Sequence, residues 1–312
     1  MRAFPDTSES PVAADPAADG DVRQAAICVI AAMAIIGVAD NYAALVAREG
    51  AGLWQFHALR SAIAVPILLA AGAVGVGRLA PRRAGRVLLR SILSASSMLL
   101  YFGAIGLFPI AVAIAGLFSA PIWVVLIQAL VWRERIGWRR ILAVALGFAG
   151  ILMVVQPDPA APGLALVLPL GAGLLYALTG LYTRRRCGAE DTLSLLAGNF
   201  LMLGAAGLAG LVAFHGQDGG YLANGWVAMT PALWASIALQ AAGALIGVYL
   251  LIRAYQLSAP AIVGTLEYAL MIFGPAYAWA VFGEALGPIA ILGLCVITAS
   301  AVLIIWRGRV RG

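Results

Sequence analysis

The chain has 312 residues, 63% hydrophobic and 11% charged, with a net charge of +6 and twenty basic residues that are all arginine. No single soluble core hides that much apolar surface, so the composition excludes an ordinary soluble domain and points to an integral membrane protein. The arginines sit in short connections between apolar runs, a placement that the positive-inside rule explains without a nucleic-acid partner.

Residues 1–23 are rich in Pro, Ala, Ser and acid and lack a basic segment leading into an apolar one, so they read as a disordered cytoplasmic tail, not a signal peptide. Apolar runs long enough to cross a ~30 Å hydrocarbon core then follow at about 24–46, 54–77, 88–107, 111–132, 139–156, 164–183, 193–214, 232–254, 260–282 and 286–306. The expected fold is all-α and integral to the membrane, with ten spans. Arg78, Arg82, Arg83, Arg86 and Arg90 are assigned to the connection between spans 2 and 3, Arg133, Arg135, Arg139 and Arg140 to that between 4 and 5, and Arg184 to Arg186 to that between 6 and 7. Arg253 closes span 8, and Arg307, Arg309 and Arg311 lie in or beside the basic tail, 307–312. The opposite connections hold only Arg48, which places both termini in the cytoplasm. Cys28, Cys187 and Cys295 form no CxxC and no metal spacing, so neither metal nor cofactor is expected.

One stretch occurs twice. Shifted by 150 residues, Leu107 to Val154 lies on Leu257 to Ile304 without a gap, matching Ala111 with Ala261, Ile122 with Ile272, Glu134 with Glu284 and Gly137 with Gly287. The specific part is aromatic-x-Glu-x-x-Gly, which recurs at this offset. A unit of five spans is odd, so the second unit (164–306) should enter the membrane inverted relative to the first (24–156). Glu134 stands among four arginines and Glu284 among none, as expected if the two motifs face opposite sides.

The ten spans, the five-plus-five inverted repeat, Ala120-Pro121-Ile122-Trp123 leading to Trp132 through Gly137, and the second copy at 282–287 resemble the EamA-type carriers of the drug/metabolite transporter superfamily. Arg60 is similar to an arginine often seen early in span 2 of that family. The resemblance implies alternating-access transport of small metabolites across the inner (plasma) membrane, with YddG-type amino-acid export, aromatic or broad-range, as the nearest known activity. Export of drugs or amines and S-adenosylmethionine carriage are the family's alternatives. The copies differ at one hinge position, where Met271 stands in place of Pro121 and the proline comes later, at Pro275.

Ionisable side chains inside spans are the informative ones, because each costs roughly 2.5 to 3.5 kcal/mol at the bilayer centre on insertion scales. Asp40 and Arg60 each lie about six residues from the same end of their spans, at ~9 Å depth, and are expected to pair, either as an outer gate or as a clamp between spans 1 and 2. Asn41 and His57 lie at that level and could extend the network. Glu267, opposite Leu117 in the repeat, could hold a substrate ammonium or carry a coupling proton. Tyr101, Trp123, Tyr176, Tyr249 and Tyr268 lie nearer mid-span and are candidates for a cavity wall. Trp54, Tyr182 and Tyr255, near span ends, are assigned to interfacial belts. With Arg60 as the one arginine inside a span, small zwitterions or aromatic solutes fit better than polyphosphates. Pro121 and Pro275 are the expected hinges.

A membrane-embedded enzyme would need clustered His, Asp, Glu or Ser, which two histidines and scattered acids do not supply, and a channel would need a repeated selectivity element. No GxxxxGK[ST] motif is present to drive primary pumping. The expected partners are a small-molecule substrate and membrane lipid, without nucleic acid, and a monomer is the working expectation.

Overall fold

The computed structural model describes residues 16–108, 110–131, 133, 138–156, 167–283 and 287–308. Trp132, Glu134, Arg135, Gly137, Glu284, Arg309 and Arg311, on which part of the motif and of the charge asymmetry rests, lie outside the described residues, as does most of the expected N-terminal tail.

The described chain is helical from end to end: α1 (Pro16–Arg48), α2 (Leu53–Ala73), α3 (Ala84–Leu107), α4 (Ile110–Leu117), α5 (Ala120–Leu130), α6 (Trp138–Val155), α7 (Val167–Arg186), α8 (Thr192–Ala213), α9 (Pro231–Leu257), α10 (Pro260–Leu266), α11 (Leu270–Phe282) and α12 (Pro288–Gly308). Two helix starts carry side-chain caps. The Asp191 carboxylate accepts the backbone N–H of Leu193, and the Thr230 hydroxyl accepts that of Leu233 ahead of Pro231, which fills a first-turn position where no donor is needed. α11 stops at Gly283, whose φ of +69° is the left-handed conformation that glycine adopts without strain.

Six described stretches are long and apolar enough to cross a membrane: Asp21–Arg48, Leu53–Ala73, Ala84–Leu107, Val112–Leu130, Thr192–Ala213 and Pro231–Leu257. Ala145–Val154 and Pro288–Ser300 are shorter apolar helices, and α7 ends on Arg184, Arg185 and Arg186. α1 begins at Pro16, ahead of the apolar run that starts near residue 24. α3 begins at Ala84, so Arg86 and Arg90 belong to a helix and not to the connection before it.

The helices pack in pairs that cross between the two halves of the chain: α1 on α9, α3 on α7, α2 on α8 and α6 on α12. α1 also meets α11, and α7 meets α4 and α5. Exchanging the helices of one half for those at the same repeat position in the other turns the α1–α9 pair into α7–α3 and leaves α2–α8 and α6–α12 unchanged. The α6–α12 contact brings backbones together, since a Cβ on Gly150 would stand 2.8 Å from the Gly293 carbonyl oxygen. Large apolar side chains such as Ile27, Leu69, Leu208, Val212, Ile291 and Leu292 remain on the outside. Lipid tails cover such a surface where water would not.

The helical path is broken at the same repeat position in each half. In the first it is interrupted at Phe118–Ser119, between α4 and α5, with Pro121 in the first turn of α5. In the second it passes through a single 3-10 turn, Glu267–Ala269, between α10 and α11. Pro275 lies inside α11, which runs on through it. The tight turn in the second copy therefore sits over the break in the first, and away from the proline.

Candidate functional site: a charged central cavity

A cluster of buried polar side chains lines one cavity between the halves. Asp40 of α1, Arg60 of α2, Arg90 and Tyr101 of α3, Tyr176 of α7, Asn199 of α8, Gln240 and Tyr255 of α9, and Glu267 at the turn between α10 and α11 all line it. Met33, Met98, Phe102, Phe118 and Leu251 complete a mostly apolar wall. The free space inside these walls is ≈ 90 Å³, below the roughly 300–1,000 Å³ of clefts that hold drug-sized ligands, so a solute of that size enters only if the halves move apart.

The wall follows the repeat. At the offset of 150, Arg90 and Gln240, Ser94 and Ala244, Met98 and Val248, Tyr101 and Leu251, and Leu117 and Glu267 all face the cavity. Matching faces of matching helices therefore enclose it, but the ionisable group is present in one copy and absent from the other.

Toward the end that carries the 48–52 and 214–230 connections, the Tyr101 hydroxyl donates to Asp40 Oδ2 at 2.6 Å. Arg60 Nη1 donates to Gln240 Oε1 at 3.4 Å, and Gln240 is also within hydrogen-bonding range of Asp40. The Arg60 guanidinium lies 4.9 Å from the centroid of the Phe102 ring and 5.3 Å from those of Phe56 and Phe200, a cation–π nest that suits a planar, weakly hydrated cation. Asp40 and Arg60, expected to pair, lie on the same wall, each with its own hydrogen bond and with Gln240 in range of both.

Toward the arginine-rich end, Arg90 Nη1 donates to the Leu195 carbonyl at 3.0 Å and Nε to Thr183 Oγ1 at 3.3 Å. Glu267, 2% exposed, lies within hydrogen-bonding range of the Tyr176 and Tyr255 hydroxyls. Arg90 is 4% exposed, which corrects its assignment to a surface connection and the count of one arginine inside the spans. Proximity to the 78–86 arginine run disguised it, and its register over Gln240 at the repeat offset is the signal that marks it. Tyr255, assigned to the interfacial belt, turns inward because α9 continues to Leu257 and keeps it on the cavity face.

Among the other candidates, Asn41 donates to the carbonyls of Gly37 and Gly274, at 2.7 and 3.1 Å, and so staples α1 to α11. His57 is fully buried against the rings of Phe56 and Phe102. Trp123 donates to Ser119 Oγ at 3.1 Å, across the break between α4 and α5. Tyr268 packs on Phe118, and Tyr249 lines a separate cleft with Arg78 and Arg253. None of these five lines the central cavity.

Both ends of the bundle are laced. The Gln55 side chain both donates to and accepts from the Val227 backbone, at 2.9 and 3.0 Å, and Trp54 Nε1 donates to the Leu222 carbonyl at 2.7 Å. Burial pushes the Tyr221 hydroxyl in this strap above its ordinary pKa, and nearby Arg60 opposes that shift. At the other end the Glu190 carboxylate accepts the backbone N–H groups of Arg82 and Arg83, at 2.8 and 2.9 Å. Gln256 Nε2 there donates to the carbonyls of Glu190 and Cys187. Burial pushes the Cys187 thiol up to about 11, with Arg90 pulling the other way.

The EamA-like transporter family model matches residues 23–156 and again 163–306, one copy in each half. The chain is 28% identical over 229 residues to a riboflavin transporter of Rhizobium johnstonii, a match covering 72% of this chain and 71% of that protein. It is 39% identical over 114 residues to PA1977, an uncharacterised protein of Pseudomonas aeruginosa, across 34% of this chain and 38% of that one. A solved protein crystal structure superposes with a TM-score of 0.68 at 18% identity, covering 91% of this chain and 98% of that one, and so shares its fold. Two matched copies, an apolar helical bundle and a cavity between its halves make this chain a member of the EamA-like transporter family, a multi-pass membrane protein that moves small molecules.

Proposed function

We propose that the chain is a secondary carrier that exports amino acids, aromatic or broad-range, across the inner (plasma) membrane by alternating access of its two repeats. In this reading the apolar helices make ten spans, with α4–α5 and α10–α11 as one broken span each. The second repeat is inverted and both termini are cytoplasmic. The symmetric exchange of helix pairs across the halves supports the inversion. The observation that carries the substrate reading is the cavity itself. It holds Asp40, Arg60, Arg90 and Glu267 inside an aromatic wall, with no net formal charge, which suits a net-neutral dipolar solute. The test is counterflow into liposomes of purified protein. Radiolabelled L-tryptophan should accumulate saturably against unlabelled internal amino acid, and absence of counterflow across a panel of amino acids would refute the reading.

A flavin is the second reading, favoured by the name of the Rhizobium relative and by rings along the wall that could stack on an isoalloxazine. Riboflavin counterflow that L-tryptophan fails to inhibit would select it.

A further inference from the structure

Among the described residues nine buried side-chain polar atoms have no hydrogen-bond partner, and three of them belong to the cavity wall: Arg60 Nε, Asn199 Oδ1 and Glu267 Oε1. These residues are 3%, 2% and 2% exposed, and native proteins rarely leave such groups unsatisfied without a functional reason. Two of the three lie toward the arginine-rich end. Asn199 is one helical turn beyond Leu195, whose carbonyl holds Arg90. Glu267, Arg90 and Tyr176 all line this part of the cavity wall. Arg90 uses two of its five N–H donors on Leu195 and Thr183 and, among the described residues, forms no ion pair.

On the carrier reading above, we infer that Arg90, Asn199 and Glu267 form the headgroup site for a zwitterion. Arg90 donates to the solute carboxylate, while Glu267 Oε1 and Asn199 Oδ1 accept from its ammonium. The chemistry selects against the simpler ions. A monocarboxylic acid brings no donor for the two orphaned oxygens, an amine leaves the Arg90 guanidinium without its anion, and a phosphate sets extra negative charge beside Glu267. At the other end of the cavity Asp40 is held by Tyr101, and Arg60 by Gln240 and three ring faces, with its Nε left over.

The test is competition against labelled L-tryptophan counterflow by L-tryptophan, tryptamine and indole-3-propionate, using the full chain in liposomes. Wild type should prefer the zwitterion over each analogue by about ten- to a hundredfold, the fold-change expected when one buried charge-assisted hydrogen bond is lost. Arg90→Gln should erase the preference over tryptamine and keep that over indole-3-propionate, and Glu267→Gln should do the reverse. If Arg90→Gln does not fold, Arg90→Lys keeps the charge without the fork and should reduce the preference over tryptamine, while Asn199→Ala should weaken that over indole-3-propionate. Variants that keep both wild-type ratios, or lose both together, overturn the inference, as does a wild type that treats the three ligands alike. A wild type that exchanges no amino acid overturns the amino-acid reading and this inference with it.

Discussion

Arg60 and Asp40 show how a buried charge is kept inside an apolar bundle. The guanidinium is held by ring faces and one amide oxygen, the carboxylate by a phenol. Tyr101→Phe leaves Asp40 Oδ2 without its donor, and we expect a loss of about 1 to 3 kcal/mol, read as a lower unfolding midpoint in detergent. Cys187 is fully buried and its thiol is pushed up to about 11, so at pH 8 it stays protonated. Maleimide labelling of Cys187 in the folded protein should be slow at that pH and become fast on unfolding; rapid labelling of the native state would contradict the burial. At this scale the sequence was legible where a charge stood alone in an apolar run, as with Asp40, Arg60 and Glu267. Arg90 stood beside a cluster of solvated arginines, and only helix register and packing separate it from them. The aromatic candidates divided for the same reason. Tyr101 and Tyr176 face inward, while Trp123, Tyr249 and Tyr268 lie on other faces of equally apolar helices.

The two broken helices place functional groups where backbone hydrogen bonding is weakest. A mid-helix 3-10 turn often marks a hinge, and here it bears Glu267 itself. Stiffening this element should therefore affect turnover more than affinity. Pro121→Ala restores a backbone donor beside the α4–α5 break, and we expect it to slow counterflow several-fold while leaving the half-saturating concentration within about twofold, as befits a conformational step. The proline was visible in the sequence as a helix breaker, but the second break has no proline and no glycine. Glu-Tyr-Ala is ordinary helical sequence, so tertiary packing sets that turn. The α6–α12 contact is the opposite kind of element, a close crossing at which Gly150 and Gly293 meet each other's carbonyls and the Ile297 and Met153 side chains. Gly150→Val drives a branched side chain into the Gly293 carbonyl and should cost about 1 to 3 kcal/mol of stability, measured by thermal unfolding.

At the scale of the molecule, straps at opposite ends tie the halves together: the 214–230 segment to the start of α2, and the 74–83 segment to the start of α8. On the alternating-access reading proposed above, at least one strap releases in each cycle. A disulfide between Gln55→Cys and Val227→Cys should therefore arrest counterflow, and reduction should restore it; transport undiminished by the cross-link would mean that this end does not open there. Two copies, their membrane character and their family were legible because repetition and hydropathy are carried by many residues at once. The cavity's contents were less so, because they depend on which few side chains turn inward.

The distribution of charge over that cavity also bears on how such a chain is assembled. The first repeat contributes Asp40, Arg60 and Arg90, and the second contributes Glu267. Two first halves docked on each other would enclose a formal charge of about +2 and two second halves about −2; unpaired charge of either sign is expensive in a desolvated interior. Only the mixed pair is neutral. The cavity thus acts as a pairing code, rejecting homodimers of either half, and joining both halves in one polypeptide fixes the one stoichiometry in which the charges cancel.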